Sequence, residues 1–113
     1  MVRRPRHAIA APVHVRTTGE ARVDDPELTE TVDISEGGLC IVTARDRRVG
    51  ETLQLRLMLP CRPAGMSLLA VVVWTGERPD GERRCGLRLL AIDLRAALLL
   101  RRYLTRCDAR AAA

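Results

Sequence analysis

Two short segments of the sequence carry side chains suited to holding a small anionic molecule. An N-terminal arm contains Arg3, Arg4 and Arg6, and residues 33–38 have the form D-x-S-x-x-G. An Arg guanidinium can meet a phosphate or the acceptor edge of a purine base with two parallel hydrogen bonds. An Asp carboxylate accepts hydrogen bonds, a Ser hydroxyl donates one, and a Gly lets a backbone approach closely. Together the two segments predict binding rather than catalysis.

Neither segment is specific by itself. Asp and Ser bond to nearby backbone amides in turns, and Gly accepts a positive φ, so turn formation alone explains D-x-S-x-x-G. Three arginines close together are usually a solvated basic arm. The prediction of a site therefore depends on the elements that would bring the arm and the turn together.

Alternation of apolar and polar residues predicts a series of short strands. Val13 and Val15 alternate directly after the arm, and Leu53–Leu59 alternates most regularly. The predicted strands begin and end near residues 12–16, 28–34, 39–43, 53–59, 67–75 and 85–92. Several short strands joined by tight turns in a chain of this length are typical of an antiparallel sandwich or barrel.

The D-x-S-x-x-G segment joins two of these strands as a hairpin, with the turn at residues 35–38. In the strand that precedes the turn, simple alternation places Leu28, Glu30, Val32 and Ile34 on one face, and Thr29, Thr31 and Asp33 on the other.

The end of the chain predicts a helix. Asp93 is a suitable N-cap, and residues 94–107 contain neither Gly nor Pro. Leu100, Leu104 and Cys107 share one side, and the consecutive Leu98–Leu100 widens the apolar arc beyond one packing face. We expect the helix to cover one opening of a barrel and to touch a partner protein. The whole chain, 1–113, is then a single domain with an arm (1–11), a barrel (12–92), a helix (93–107) and a frayed tail (108–113).

The composition argues against several other classes of protein. The chain has 113 residues, a net charge of +5, no Lys and only 2% aromatic residues. Four cysteines without a C-x-x-C pair, and two histidines near the start, form no zinc pattern, so we expect free thiols. No segment approaches the roughly 18 apolar residues of a membrane helix, which predicts a cytoplasmic protein. No catalytic set of residues can be assembled, so we predict neither an enzyme nor a cofactor.

Other residues have a plain structural interpretation. His14 has no Cys or carboxylate near it and is expected to be a structural histidine. Trp74 lies at a strand end and is expected in the core or at the barrel rim. Residues 45–48 and 82–84 are interpreted as solvated turns.

The order of the segments along the chain resembles the PilZ family, and the resemblance covers nearly the whole sequence. An Arg-rich arm precedes the first strand and D-x-S-x-x-G joins the next two strands. After these come Val49–Leu53 leading to Leu57–Pro60, then Ala70–Trp74, then Cys85–Leu90 before the final helix.

This resemblance implies a six-stranded antiparallel β-barrel with a C-terminal helix. It also implies that the ligand is cyclic di-GMP, a bacterial second messenger, held between the arm and the turn. Asp33, Ser35 and Gly38 fall on the motif positions. By this likeness Asp33 and Ser35 would select guanine, and Gly38 would give the ligand access to the backbone.

The arm departs from the family pattern R-x-x-x-R. If the strand beginning at Pro12 sets the register, Arg6 takes the second Arg position and Val2 takes the first. Arg3 then lies one residue away, and Arg4 offers another choice. Pairing Arg3 with His7 instead would place an imidazole where an Arg is expected.

Three functions remain open from the sequence. The first is a cyclic di-GMP receptor that relays the signal to a protein partner. The second is a PilZ-like adaptor that works without a nucleotide through its leucine-rich helix. The third is a small basic barrel that binds nucleic acid, although one Trp and one Tyr offer few surfaces for stacking bases. A monomer and a homodimer are both compatible with the sequence.

Overall fold

The computed structural model describes residues 6–18 and 26–112, with side chains as far as residue 107. Arg3, Arg4 and the side chains of the predicted tail lie outside the described residues. The elements are β1 (Pro12–Thr17), β2 (Glu27–Ile34), β3 (Gly38–Val42), β4 (Thr52–Leu59), β5 (Arg62–Glu77), β6 (Arg83–Ile92) and α1 (Leu94–Ala112).

The six strands close into an antiparallel barrel in the order β1-β2-β3-β6-β5-β4. The short strand β1 closes it, since Val13 and Val15 have register partners in both β2 and β4. The crossing from β3 to β6 puts the D-x-S-x-x-G hairpin beside the last strand, immediately before the helix. The predicted six-stranded barrel with a C-terminal helix is confirmed.

The core of the barrel is aliphatic. The alternation in β4 is the clearest case, because Leu53, Leu55, Leu57 and Leu59 are all buried while Gln54 and Arg56 are exposed. The helix adds Ala96, Leu100 and Leu104 to the same buried cluster. Asp93 caps the helix as predicted, and its Oδ1 accepts the Arg95 N–H at 3.1 Å. The helix continues to Ala112, beyond Cys107, where the sequence predicted its end.

Strand β2 does not keep a single alternation along its length. Thr31 pairs with Ile41 and Asp33 with Cys40, so two steps on β2 oppose one step on β3. This β-bulge turns Ile34 into the core although Thr31 is also buried. The predicted grouping of Leu28 with Ile34 on one face is therefore wrong, and Leu28 is exposed.

Strand β5 begins at Arg62 rather than near Ser67 and runs to Glu77. A turn at Pro60–Cys61 joins it directly to β4. The sequence signal for this part of the strand is weak because Pro63 and Gly65 are poor strand formers. Gly65 has a φ of +94°, and a Cβ there would lie 2.5 Å from Cγ of Arg56, so only glycine fits without rearrangement.

A buried ion-pair network fixes the start of β2. Nη2 of Arg47 lies 3.0 Å from Oε1 of Glu27, and the two side chains are only 3% and 8% exposed. The Ala44 N–H and the Thr43 hydroxyl also donate to the Glu27 carboxylate, at 2.7 and 2.8 Å. The prediction of a wholly solvated turn at residues 45–48 is wrong for Arg47.

Burial alone would raise the pKa of Glu27. The hydrogen bonds from Ala44, Arg47 and Thr43 and the charge of Arg47 outweigh that effect, so the pKa of Glu27 lies below its usual value near 4.5. Glu27 is thus held as a carboxylate inside the fold.

Candidate ligand-binding site

The arm lies against the end of β2 through backbone hydrogen bonds. The His7 N–H donates to the Ile34 carbonyl at 2.8 Å, and the Ile34 N–H donates to the His7 carbonyl at 2.9 Å. Buried Thr31 holds the arm at a second point, because its Oγ1 accepts the Ala11 N–H at 2.9 Å and donates to the Ile9 carbonyl. This role of Thr31 was not predictable from the sequence, since Thr is a common residue in strands.

This arrangement brings Arg6 to Asp33. Nη1 of Arg6 donates to Oδ1 of Asp33 at 2.7 Å, with the two side chains 56% and 26% exposed. The second arginine of the arm pattern thus meets the first residue of the D-x-S-x-x-G turn. A guanidinium and a carboxylate stand side by side on the outer surface, and each retains solvent-exposed area.

Ser35 closes the turn. Its backbone N–H donates to the Gly38 carbonyl at 2.8 Å, and its hydroxyl donates to the same oxygen at 3.2 Å. The side chain is buried. Ser35 therefore shapes the hairpin that presents Asp33, and its hydroxyl is engaged within the turn.

Gly38 is required by a close strand approach. A Cβ at this position would lie 2.1 Å from the Leu87 carbonyl oxygen of β6. Its φ does not lie in the left-handed region, so the explanation by positive φ does not apply to Gly38. Because Gly38 has no Cβ, β3 can pair closely with β6 directly after the turn.

The turn also contacts the helix. The Leu89 N–H donates to the Gly37 carbonyl at 2.9 Å, which ties the turn to β6. Oε1 of Glu36 lies 3.4 Å from Nε of Arg101 in α1. The turn is thus connected to β6 by a backbone hydrogen bond and to α1 by an exposed ion pair.

A row of residues continues from Asp33 across the outer surface of the barrel. Asp33 is the register partner of Cys40, Cys40 of Gly86, and Gly86 of Trp74. The indole of Trp74 lies over Gly86, since a Cβ there would be 2.0 Å from the indole Nε1. Trp74 is 41% exposed, so it is an outer-surface residue rather than part of the core. The sequence could not reveal that it shares a row with Asp33.

Cys40, the second residue of this row, carries a buried thiol. Its neighbours Leu39 and Ile41 belong to the core cluster, so Cys40 points outward but is covered. Burial is the main cause of its raised pKa, and the charge of Asp33 acts in the same direction. A thiol that stays protonated is a poor nucleophile, and Cys40 is better suited to filling space than to chemistry.

Arg84 adds a second guanidinium close to the row. It lies two residues from Gly86 on β6, and its Nε is 2.6 Å from Oε2 of Glu82. Arg84 is the register partner of Val42 on β3 and of Gly76 on β5, two positions along from the Cys40–Gly86–Trp74 row. Residues 82–84, interpreted as a solvated turn, thus include a cation near the candidate site.

Within residues 6–18 and 26–112, no group of His, Cys, Asp and Glu could hold a metal ion. The helix in this part of the chain does not combine the length and the apolar composition that crossing a membrane requires. The described site offers guanidinium groups, the carboxylates of Asp33 and Glu82 and an indole face, which together suit a ligand that carries both anionic groups and a planar base.

The sequence profile of the PilZ domain matches residues 2–106. The chain therefore belongs to the PilZ domain family. No curated protein matches the chain.

Solved structures show the same fold. The inhibitor of motility MotI/DgrA of Bacillus subtilis has a TM-score of 0.81 and 23% identity, over 93% of this chain and 49% of that one. The PilZ domain of YcgR from Escherichia coli, solved with c-di-GMP, has a TM-score of 0.68 and 19% identity, over 97% and 93%. The PilZ domain of CeSA from a cellulose-synthesizing bacterium has a TM-score of 0.64 and 17% identity, over 92% and 98%. The chain thus spans about half the length of the Bacillus protein.

Proposed function

We propose that the chain is a receptor for cyclic di-GMP that relays ligand binding to a protein partner, without catalysis. The observation that carries the proposal is the pairing of Arg6 with Asp33, which joins the arm to the D-x-S-x-x-G turn at 2.7 Å. The YcgR domain, solved with c-di-GMP, has the same fold and supports the choice of ligand.

The exposed pair is suited to exchange with a ligand. An exposed ion pair of this kind contributes about 0–1 kcal/mol, so little free energy is lost when its partners change. Arg6 would then bind a phosphate or the O6/N7 edge of a guanine, and Asp33 would accept the guanine N–H donors. Ser35 and Gly38 hold the turn in the shape that presents Asp33.

Trp74 supplies a surface for a purine ring. Its indole is half exposed and lies in the same cross-strand row as Asp33. Stacking a base on an aromatic side chain contributes about 1–3 kcal/mol. One guanine of the ligand would lie against the Trp74 indole while Arg6 and Asp33 bind its polar edge or a phosphate.

Arg3 and Arg4 complete the proposed site from the arm. They precede Arg6 by a few residues, and a dinucleotide carries two phosphates for which further guanidinium groups are suitable partners. The family pattern has an arginine at the position of Val2 in this chain. Either Arg3 or Arg4 would take the place of that arginine.

The relay would pass from the turn to the helix. Ligand binding at Asp33 would change the charge close to the turn, which also carries Glu36 three positions later. The ion pair of Glu36 with Arg101 connects the turn to α1. The helix also exposes Leu94 and Leu98, one turn apart, which suits contact with a partner protein. A cytoplasmic setting fits the four cysteines, all of which are free.

A nucleotide-independent adaptor is the second candidate function. It is favoured by the way Arg6 and Asp33 satisfy each other directly and by Val2 at the first arm position. The likeness to a protein described as an inhibitor of motility also fits a role through protein contacts. Nucleic-acid binding is third, because among the described residues only Trp74 is a large exposed aromatic side chain.

The test is a calorimetric titration of the full chain with cyclic di-GMP, with GTP and cyclic di-AMP as controls. We expect saturable binding at micromolar or lower concentration, corresponding to about −8 kcal/mol or better. Arg6→Ala and Asp33→Asn should each weaken binding at least tenfold, and Trp74→Leu about tenfold. Arg95→Ala, an exposed arginine on the helix, is the matched control and should leave the affinity unchanged.

Absence of heat and of a thermal shift at millimolar cyclic di-GMP would reject the receptor function and favour the adaptor. Tight binding that survives both Arg6→Ala and Asp33→Asn would instead reject this location for the site. Equal binding of cyclic di-AMP would reject the guanine-selective role of Asp33.

A further inference from the structure

A second concave surface lies on the side of the barrel formed by β1, β4 and β5, away from the Arg6–Asp33 pair. It encloses about 680 Å³. Its lining combines polar side chains with apolar ones, namely His14, Arg16, Gln54, Arg56, Ser67, Leu69, Ala91, Ile92 and Asp93, together with Leu55 and Leu68 from the barrel wall. We call this surface the β1–β4–β5 groove.

The polar side chains of the groove form two cross-strand rows. His14 of β1 is the register partner of Arg56 of β4, and Arg56 of Ser67 of β5. In the second row Arg16 is the partner of Gln54, and Gln54 of Leu69. Hydrogen-bond donors from three strands therefore lie next to one another on one outer face.

Four of these side chains have no partner among the described residues. His14, Arg16, Gln54 and Ser67 make no hydrogen bond or ion pair through their side chains in that part of the chain. A guanidinium carries five N–H donors, and none of those of Arg16 is used by a described residue.

Arg56 is held in place at the floor of the groove. Its Nη1 donates to the Ala64 carbonyl at 3.0 Å, and its Cγ and Cδ lie directly under the glycine at position 65. The backbone partner fixes the guanidinium without neutralising its charge. Because this side chain is already ordered in the fold, the conformational entropy lost when a ligand binds to it is smaller.

The lining contains one acidic residue, Asp93, which is the N-cap of the helix. Its Oδ1 accepts the Arg95 N–H at 3.1 Å, and its backbone carbonyl accepts the Ala97 N–H. Arg16 and Arg56 outnumber this carboxylate, so the groove presents mainly cationic and donor groups, with an apolar strip at Leu69, Ala91 and Ile92 beside them.

We propose that the β1–β4–β5 groove binds an acidic, extended segment of a partner protein. Arg16 and Arg56 would pair with Asp or Glu carboxylates, and Gln54 and Ser67 would donate to the peptide backbone or to a further carboxylate. The strip at Leu69 takes the aliphatic part of the segment. The volume falls within the roughly 300–1,000 Å³ of sites that enclose ligands, which suits a few consecutive side chains.

The groove is less suited to a nucleotide or to single-stranded nucleic acid. Its lining contains no Phe, Tyr or Trp, so only the small imidazole of His14 and the guanidinium planes offer a base a surface to stack on. The peptide site is independent of the proposed cyclic di-GMP site, which lies on β2, β3, β5 and β6 and uses different side chains.

The test uses the full chain labelled with ¹⁵N and titrated with capped hexaglutamate at 0.15 M salt, followed by amide chemical shifts. Capped hexalysine and hexathymidylate are the comparison probes. We expect shifts centred on residues 14–16, 54–56 and 67–69 with hexaglutamate only. Arg16→Glu and Gln54→Glu, which remove no hydrogen bond or ion pair among the described residues, should each weaken the interaction at least fivefold.

Arg102→Glu is the matched control, because it reverses the charge of an exposed arginine on the helix, outside the groove. Equal weakening by Arg102→Glu and Arg16→Glu would mean attraction by net charge only and would overturn the proposal. Stronger binding of hexathymidylate in the groove would overturn it in favour of nucleic acid. Cyclic di-GMP affinity of Arg16→Glu should equal that of the natural chain, so failure of one proposal is distinguishable from failure of the other.

Discussion

Strand β2 carries an arginine–carboxylate pair at each end, and the two pairs are built for different purposes. At its start Glu27 and Arg47 lie 3.0 Å apart and are 8% and 3% exposed. At its end Asp33 and Arg6 lie 2.7 Å apart and are 26% and 56% exposed. The shorter distance belongs to the exposed pair. Burial and the remaining hydrogen bonds, rather than the distance, decide which pair the fold depends on.

The buried pair is difficult to replace because each charged group has its counter-charge inside the fold, where both side chains are less than one-tenth exposed. Arg47 also donates to Thr17 and Glu51, so it joins β1, β2 and the segment before β4. The exposed pair leaves each partner accessible. The Glu27 end of β2 therefore stabilises the fold, and the Asp33 end presents groups that a ligand can bind.

The largest effect is expected from Arg47→Ala. Removing the guanidinium leaves the buried Glu27 carboxylate without its charged partner, which costs about 3–5 kcal/mol in the free energy of unfolding. Urea denaturation followed by circular dichroism measures it. Arg48→Ala, at the exposed neighbouring position, should change stability by less than about 0.5 kcal/mol. A loss below about 1 kcal/mol for Arg47→Ala would remove the distinction between the two ends of β2.

Gly38→Ala should have the next largest effect. The added Cβ would meet the Leu87 carbonyl at 2.1 Å, so β3 and β6 must separate, at a cost of about 1–3 kcal/mol. Gly76→Ala is the matched control, because its Cβ would make an ordinary contact of 3.6 Å with the Trp74 ring. Equal thermal midpoints for both variants would show that the turn end of the hairpin is more compliant than its packing indicates.

Acidification should weaken the buried end of β2 selectively. The pKa of Glu27 is lowered in the folded protein, so its contribution is fully present above the unfolded value near 4.5 and is lost as the pH falls through the lower folded pKa. Urea midpoints measured from pH 7 down to pH 3 should therefore decline. Glu27→Gln should be less stable at pH 7 and show a shallower decline below pH 4.5. Parallel curves for the two proteins would contradict the role assigned to Glu27.

Arg6→Ala should have the smallest effect on stability, within about 1 kcal/mol, because its ion pair is exposed. The same variant is expected to bind cyclic di-GMP at least tenfold more weakly. Measuring the free energy of unfolding and the ligand affinity on the same preparation separates the effect on stability from the effect on binding. A loss of stability comparable to that of Arg47→Ala would mean that the arm is part of the structural frame rather than a ligand-binding segment.

The strands that could be predicted from the sequence are those in which one face is simply apolar. Leu53–Leu59 alternates without interruption, and the structure places those leucines in the core. The turn at residues 35–38 was predictable as well, because Ser and Gly favour tight turns. The local sequence pattern was sufficient to predict a strand or a turn wherever residues close in sequence decide its structure.

Features that depend on distant partners were not predictable. The bulge between Thr31 and Asp33 lies where β2 pairs with β3 and where Thr31 also bonds to the arm, and the alternation of residues in β2 does not indicate it. Arg47 looks like any turn arginine until Glu27, twenty positions earlier, is brought beside it. Trp74 likewise joins the row of Asp33 only through the crossing of β3 to β6.

The closure of the barrel limits how a partner can be recognised. A protein with an open sheet can recruit an extended segment by adding a strand to its edge, reading mainly backbone groups. Here each described strand has a neighbour on both sides, since β1 pairs with β2 and β4. Recognition must therefore depend on side-chain chemistry, so single substitutions at surface positions can redirect the choice of partner while the hydrogen-bonded ring stays unchanged.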